Sequence, residues 1–191
     1  PVGTYAYFDT PYQPFGDGFV CAKALDDRVG CYTILELMRE TYPCDVTFVF
    51  AVQEEVGCRG AVTAAHQIRP DIGISVDVTP DHAYPCDLEG CNAVGEGISV
   101  TLGDPSAMLD EDLVNEMLAC CEENGIRYQR GVMDRGGTDA SSMNQSGDGV
   151  RVAGIAVVDR YPHSKCSVIA KDDVTAGIDL LDKYTHRVFK F

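Results

Sequence analysis

Apolar runs of strand length alternate with segments of helical period along this chain. That alternation restricts the fold to α/β layers, because strands and helices that each carry one apolar face must bury those faces on one another. The clearest strand-like runs are Val46 to Gln53, Ile72 to Val78, Ile98 to Leu102 and Val152 to Asp159, with Ile126 to Met133 a weaker fifth. Helical segments fit at Asp27 to Tyr42, Gly60 to Ile68, Asp110 to Glu123 and Asp172 to His186. The first opens on an acidic cap and is expected to set Val29, Tyr32, Thr33, Leu35, Leu37 and Met38 mostly on one side. Asp110, Glu111 and Asp112 suit the positive end of the third. Neither a repeat nor a linker interrupts the pattern, and 191 residues can bury one core, so a single domain over residues 1–191 is expected.

Charge narrows the partners. Lys and Arg total 15 against 30 for Asp and Glu, a net charge of -15. Such a surface repels nucleic-acid phosphates and anionic lipid while attracting divalent cations. No run of about 18 apolar residues is present to span a bilayer, and the opening Pro1-Val2-Gly3-Thr4-Tyr5 carries neither a basic nor an apolar leader region. No membrane and no nucleic-acid partner, and a cytoplasmic location, are therefore expected. Nine cysteines, an odd number set largely in apolar stretches such as Val29-Gly30-Cys31-Tyr32, read as reduced thiols. His82, Cys86 and Cys91 could hold zinc, although they lack a fourth partner and a loop with two buried thiols is the plainer account. The stretch Pro1 to Phe19 is rich in Pro, Gly and aromatic residues and has no initiator Met, so the chain is expected to be a C-terminal fragment of a longer one.

In an open α/β sheet the ligand crevice lies beyond the carboxyl ends of the strands, which directs attention to polar residues just after each apolar run. Gln53 leads into Glu54-Glu55-Val56-Gly57, two carboxylates followed by a glycine turn. Asp77 is a lone acid inside Ile74 to Val78, and a buried acid there must be paired, protonated or metal-bound. Asp159 leads into Arg160-Tyr161-Pro162-His163-Ser164, and Lys23-Ala24-Leu25-Asp26-Asp27-Arg28 precedes the first helix. Each has a bland counterpart: Asp26 and Asp27 are common helix caps, paired glutamates are common in solvated loops, and a single His after a strand is usually a surface residue. Together they supply carboxylate and imidazole ligands suited to zinc, cobalt or manganese. Adjacent glutamates point different ways, so one can bind metal while the other faces an attacking water.

These motifs resemble the tetrahedral aminopeptidase family, dinuclear metallopeptidases that include glutamyl and deblocking aminopeptidases. The resemblance runs along nearly the whole chain. It rests on Lys23 to Cys31, Gln53 to Gly57 with Gly60-Ala61, Val76-Asp77-Val78, Gly136-Gly137-Thr138-Asp139-Ala140 and Arg160 to Ser164. It implies a three-layer α/β sandwich around a mostly parallel, mixed sheet of the zinc-exopeptidase type, and two divalent metal ions. Asp26 would bridge them, Glu55 and His163 would complete one site, and Asp77 would belong to the other. Glu54 would be the general base, Asp27 a helix cap, and Asp139 a support of the site or of the substrate end. Family members carry a further ligand in a His-x-Asp motif upstream, on a portion that also bears a small assembly domain. No histidine precedes His66 here, so the first metal site would draw only Asp26 and Asp77 from this chain.

The implied activity is removal of N-terminal residues from peptides, by a homo-oligomer in the complete protein. Two alternatives remain open: a non-catalytic assembly module that keeps one metal site, and a glycoside hydrolase, which needs two carboxyls roughly 5 to 9.5 Å apart about a sugar. A preference for acidic N-terminal residues would need a basic group near the site, for which Arg135, Arg160 and Lys165 are candidates.

Overall fold

The computed structural model describes residues 1–85, 89–187 and 189. Its centre is a mixed five-stranded sheet. β3 (Ile72–Pro80) and β7 (Arg151–Asp159) pair in parallel over their whole length, Ile72 opposite Arg151 through Pro80 opposite Asp159. β7 meets β4 (Ile98–Asp104) antiparallel, β4 pairs in parallel with β6 (Tyr128–Val132), and the short β5 (Ala107–Met108) folds back antiparallel on β4. A second, antiparallel sheet of order β1-β2-β8 joins β1 (Gln13–Phe15), β2 (Phe19–Ala22) and β8 (Ser167–Ala170).

Helices cover both faces of the central sheet. α1 (Leu25–Leu37), α3 (Glu111–Asn124) and α5 (Lys171–Thr185) pack side by side, while α2 (Arg59–Ile68) and α4 (Asp139–Asn144) pack together against β3, β5 and β7. The layered α/β architecture matches the sequence expectation: the sheet is mixed, and its two long ladders, β3 with β7 and β4 with β6, are parallel while the short ones are antiparallel. β7 is buried along eight of its nine residues, which is why it reads as a continuous apolar run rather than as an alternation. Val152, Ile155 and Val157 join Ile98, Val100, Met117, Leu180 and Tyr184 in one core. At about 25 cal/mol per Å², each such side chain contributes roughly 1.5–3 kcal/mol. Gly177 lets α5 approach the sheet closely, since a Cβ there would stand 3.0 Å from Ile98 Cδ1.

Two sequence expectations need correction. Val46 to Gln53 is not a strand: it forms no ladder with any described strand, and Val46, Val49, Phe50 and Val52 are exposed. An apolar run becomes a strand only by exchanging backbone hydrogen bonds with a neighbour; here Val52 O and Gln53 O instead accept from Gly60 N and Arg59 N. α1 ends at Leu37 rather than Tyr42, and its apolar residues split between two faces. Val29, Thr33 and Leu37, spaced four apart, are buried, whereas Tyr32, Leu35 and Met38 are half exposed. The other predicted helices and strands are present within about two residues of their expected ends.

Candidate metal centre

The site gathers beside the central strands β3 and β7, with residues brought to it by the β2–α1 junction and by the segment before α2. Asp26 stands where β2 enters α1, on a cis peptide bond to Asp27. Asp27 does cap the helix: its Oδ1 accepts the Gly30 N–H at 3.0 Å. Residue 30 must be small for this, because a Cβ would fall 2.2 Å from Asp27 Oδ2. Glu54 and Glu55 follow the extended Val46 to Gln53 segment, and Asp77 lies on β3, with Oδ1 accepting its neighbour's N–H from Val78 at 2.8 Å. His163 sits in the turn between β7 and β8.

Three of the predicted ligands converge. His163 Nε2 is 3.0 Å from Asp26 Oδ2 and 3.2 Å from Glu55 Oε2, and one ligand atom from each lies within 4.8 Å of the others. Asp77 belongs to no such group of three among the described residues, but it faces Asp27 and Asp26 closely enough for their charges to raise its pKa. A second group joins Glu54, Cys58 and Asp139 within the same span. Cys58 Sγ donates to Glu54 Oε1 at 3.3 Å. Asp139 begins α4 after Thr138, whose hydroxyl accepts the Ala140 N–H and donates to Ser75 Oγ.

The electrostatics fit a bound cation. Asp26, Asp27, Glu54, Asp77 and Asp139 are all held above the ordinary carboxylate range, burial being the leading cause in each. Asp27 is pushed up to about 8, the Gly30 N–H opposing and the charges of Asp26, Glu54 and Asp139 adding to the effect of burial. Glu55 raises Asp26 further while His163 lowers it. Among the described residues, His163 is the one basic side chain ion-paired with the cluster. Crowded carboxylates short of positive charge are the environment that a divalent metal relieves, and Asp26, Glu55 and His163 supply the oxygen and nitrogen donors it takes.

The backbone is locally unusual here. Of the six non-glycine residues in the left-handed region among the described residues, Ala24, Gln53, Cys58, Tyr161 and His163 all lie within four residues of a candidate ligand or base. Positive φ at such residues costs free energy and persists only where the surroundings over-determine it, a pattern concentrated at functional sites.

Other expectations fare differently. Arg160 is ion-paired to the fully buried Asp81 and lies 5.5 Å from the Tyr84 ring centroid, so it is engaged rather than free to meet an acidic substrate. Arg135 is 3.8 Å from its neighbour Asp134. Of the trio His82, Cys86 and Cys91, Cys86 lies outside the described residues, and Cys91 donates its S–H to the Arg130 carbonyl. Reduced thiols throughout are contradicted, because Cys21 and Cys166 form a disulfide. The antiparallel pairing of β2 with β8, Cys21 opposite Val168, brings together residues 145 apart in sequence. Sequence reasoning also passed over Cys58, although it stands between the Glu54-Glu55 pair and Gly60-Ala61.

Comparison with known proteins identifies the family and agrees with the fold. Residues 1–180 match the M42 glutamyl aminopeptidase family. A glutamyl aminopeptidase from Lactococcus lactis is 33% identical over 158 residues, covering 81% of this chain and 44% of its own. An aminopeptidase from the archaeon Desulfurococcus kamchatkensis superposes with a TM-score of 0.90 at 29% identity, over 94% of this chain and 52% of that one. The Pyrococcus horikoshii TET1 peptidase, described as assembling into a tetrahedron or a large octahedral shell, gives 0.83 at 27% identity over 94% and 54%. A Thermotoga maritima protein titled an endoglucanase is also similar, with a TM-score of 0.72, but at 24% identity it shows the fold alone. The chain spans about half the length of the relatives it matches. With the family matched along nearly its whole length, the chain belongs to the M42 glutamyl aminopeptidase family.

Proposed function

We propose that this chain supplies catalytic machinery for removing N-terminal residues from peptides. The observation that carries the reading is the meeting of Asp26, Glu55 and His163 within 4.8 Å, with Glu54 alongside. Asp26, Glu55 and His163 would hold one divalent metal, and Asp26 with Asp77 would contribute to a second. Such metals, zinc, cobalt or manganese, polarise a carbonyl and lower the pKa of a water. Glu54 stands outside the Asp26, Glu55 and His163 group and is assigned as the base that takes the proton of the attacking water, then returns it to the leaving amine. Its raised pKa, from burial first, favours that traffic by bringing the base nearer neutrality.

A homo-oligomer is proposed by likeness to the Pyrococcus horikoshii peptidase. A cytoplasmic location is supported by the six free thiols among the described residues, while the Cys21–Cys166 disulfide pulls against a strongly reducing compartment. Among the described residues no helix is long and apolar enough to cross a membrane.

A second reading, a non-catalytic module retaining one metal site, is favoured by two observations: among the described residues a single histidine enters the cluster, and Asp77 joins no group of three. The glycosidase reading loses ground because an imidazole set between two carboxylates suits a metal better than a sugar. The deciding experiment measures release of N-terminal residues from aminoacyl anilides by zinc- and cobalt-loaded protein beside Glu54→Gln, with bound metal counted in both. Turnover that falls at least about 100-fold in the variant at equal metal content supports the peptidase. Bound metal without turnover in either protein supports the module.

A further inference from the structure

We infer that Cys58 is a positioning residue for Glu54, its thiol proton fixing the orientation of the carboxylate. The inference rests on the reading of Glu54 as the base. The contact is built by main chain as well as side chain. Glu54 O accepts from both Gly57 N at 2.9 Å and Cys58 N at 2.8 Å, so residues 54 to 58 close into one tight turn. Cys58 ends that turn in the left-handed region, φ 51 and ψ 35, immediately before α2. That backbone conformation turns its side chain back onto Glu54, where Sγ stands 3.3 Å from Oε1.

Within the Glu54, Cys58 and Asp139 group the thiol is the one hydrogen-bond donor, since ionised carboxylates only accept. Occupying Oε1 leaves Glu54 Oε2 to face the water whose proton it takes. Glu54 and Asp139 repel one another, and the thiol stands in the same group as a donor to Glu54. The carboxylates act in turn on the sulfur: burial first, and then Glu54, hold the Cys58 thiol up at about 12, so it remains a donor across the neutral range.

Two measurements test the inference. The first is alkylation of the metal-free chain by iodoacetamide at pH 8, mapped to each cysteine by mass spectrometry. Cys58 is expected to react at least about ten-fold more slowly than the exposed Cys44 and Cys91, and about five-fold faster in Glu54→Gln than in the native chain. An unchanged rate in Glu54→Gln would overturn the contact. The second is turnover of the metal-loaded chain. Cys58→Ala, which keeps the same backbone constraint, should lower kcat about five-fold at unchanged KM, and Cys58→Ser, which restores a donor, should recover most of the loss. Equal kcat in the native and Ala proteins would overturn the positioning role alone. Absence of turnover in the native chain with metal bound would overturn Glu54 as base, and the role of Cys58 with it, whatever alkylation shows.

Discussion

Asp26 and Glu55 approach the same imidazole nitrogen of His163, at 3.0 and 3.2 Å, from different parts of the chain. One nitrogen has one lone pair or one proton, so it cannot serve both carboxylates fully, whereas a cation placed among the three can be shared by all. His163 is the one nitrogen donor in the group, which makes it the residue whose loss weakens metal binding without relieving the crowding of acids. His163→Ala should therefore lower zinc affinity by more than about 100-fold, beyond what disturbing an outer-shell partner costs. Competition against a chelating dye measures this, and an unchanged affinity would exclude His163 as a ligand. These residues were legible in sequence because each is an unusual type at a strand end or inside an apolar run. Cys58 was not, because its reach back to Glu54 depends on a left-handed conformation that residue type does not announce in a non-glycine residue. Asp77 was legible as a buried acid, but its spacing from Asp26 is a property of the assembled sheet.

At the level of elements, the site hangs on two turns that the disulfide ties together. Cys21 lies on β2, five residues before Asp26, and Cys166 lies three residues after His163, immediately before β8. Joining residues 145 apart removes chain entropy worth up to about 5 kcal/mol from the unfolded ensemble in the loop-closure model. Cys21→Ala and Cys166→Ala should each lower unfolding stability by about 2–5 kcal/mol in chemical denaturation, equally and without adding in the double variant. Adding a phosphine reductant should destabilise the native chain and leave both variants unaffected; a native chain indifferent to reductant would show that the bond does not form. The elements found from sequence, β3, β4, β7, α2, α3 and α5, carry enough residues to display a period of their own. β1, β2 and β8 have three or four residues each, too few to display one, and they form only because each finds a neighbour. Val46 to Gln53 shows the converse: eight residues with a strand's composition and no described partner.

Across the whole molecule, the net charge of -15 is concentrated in part as acids buried close together, and this makes stability depend on pH in a direction opposite to that of a protein held by salt bridges. Burial pushes Asp159, which is fully buried, up to about 7 and Asp27 to about 8, both from 3.8. Above about pH 4 the unfolded chain releases these protons while the native chain keeps them, so unfolding is favoured progressively as pH rises to about 7 for Asp159 and about 8 for Asp27. The reverse case, Asp110, is lowered by Arg151 and costs stability only below the ordinary carboxylate range, outside this window. For Asp159 the whole shift corresponds to at most on the order of 4 kcal/mol, or about 10 °C in Tm for a chain of this size. Metal-free protein should therefore melt highest near pH 5 and lose Tm steadily towards pH 8. Asp159→Asn should flatten the curve between pH 5 and 7, since its amide does not titrate. Zinc or cobalt should flatten it as well, because a cation held by Asp26 and Asp77 beside Asp27 offsets the negative charge that these acids gain as pH rises. Thermal melts followed by circular dichroism across pH 5 to 8, with and without metal, read all three effects. A Tm that rises over that range in the metal-free chain would mean that the acids at the site are ionised and held by counter-charges from elsewhere, and the case for a metal-poised cluster would fail with it.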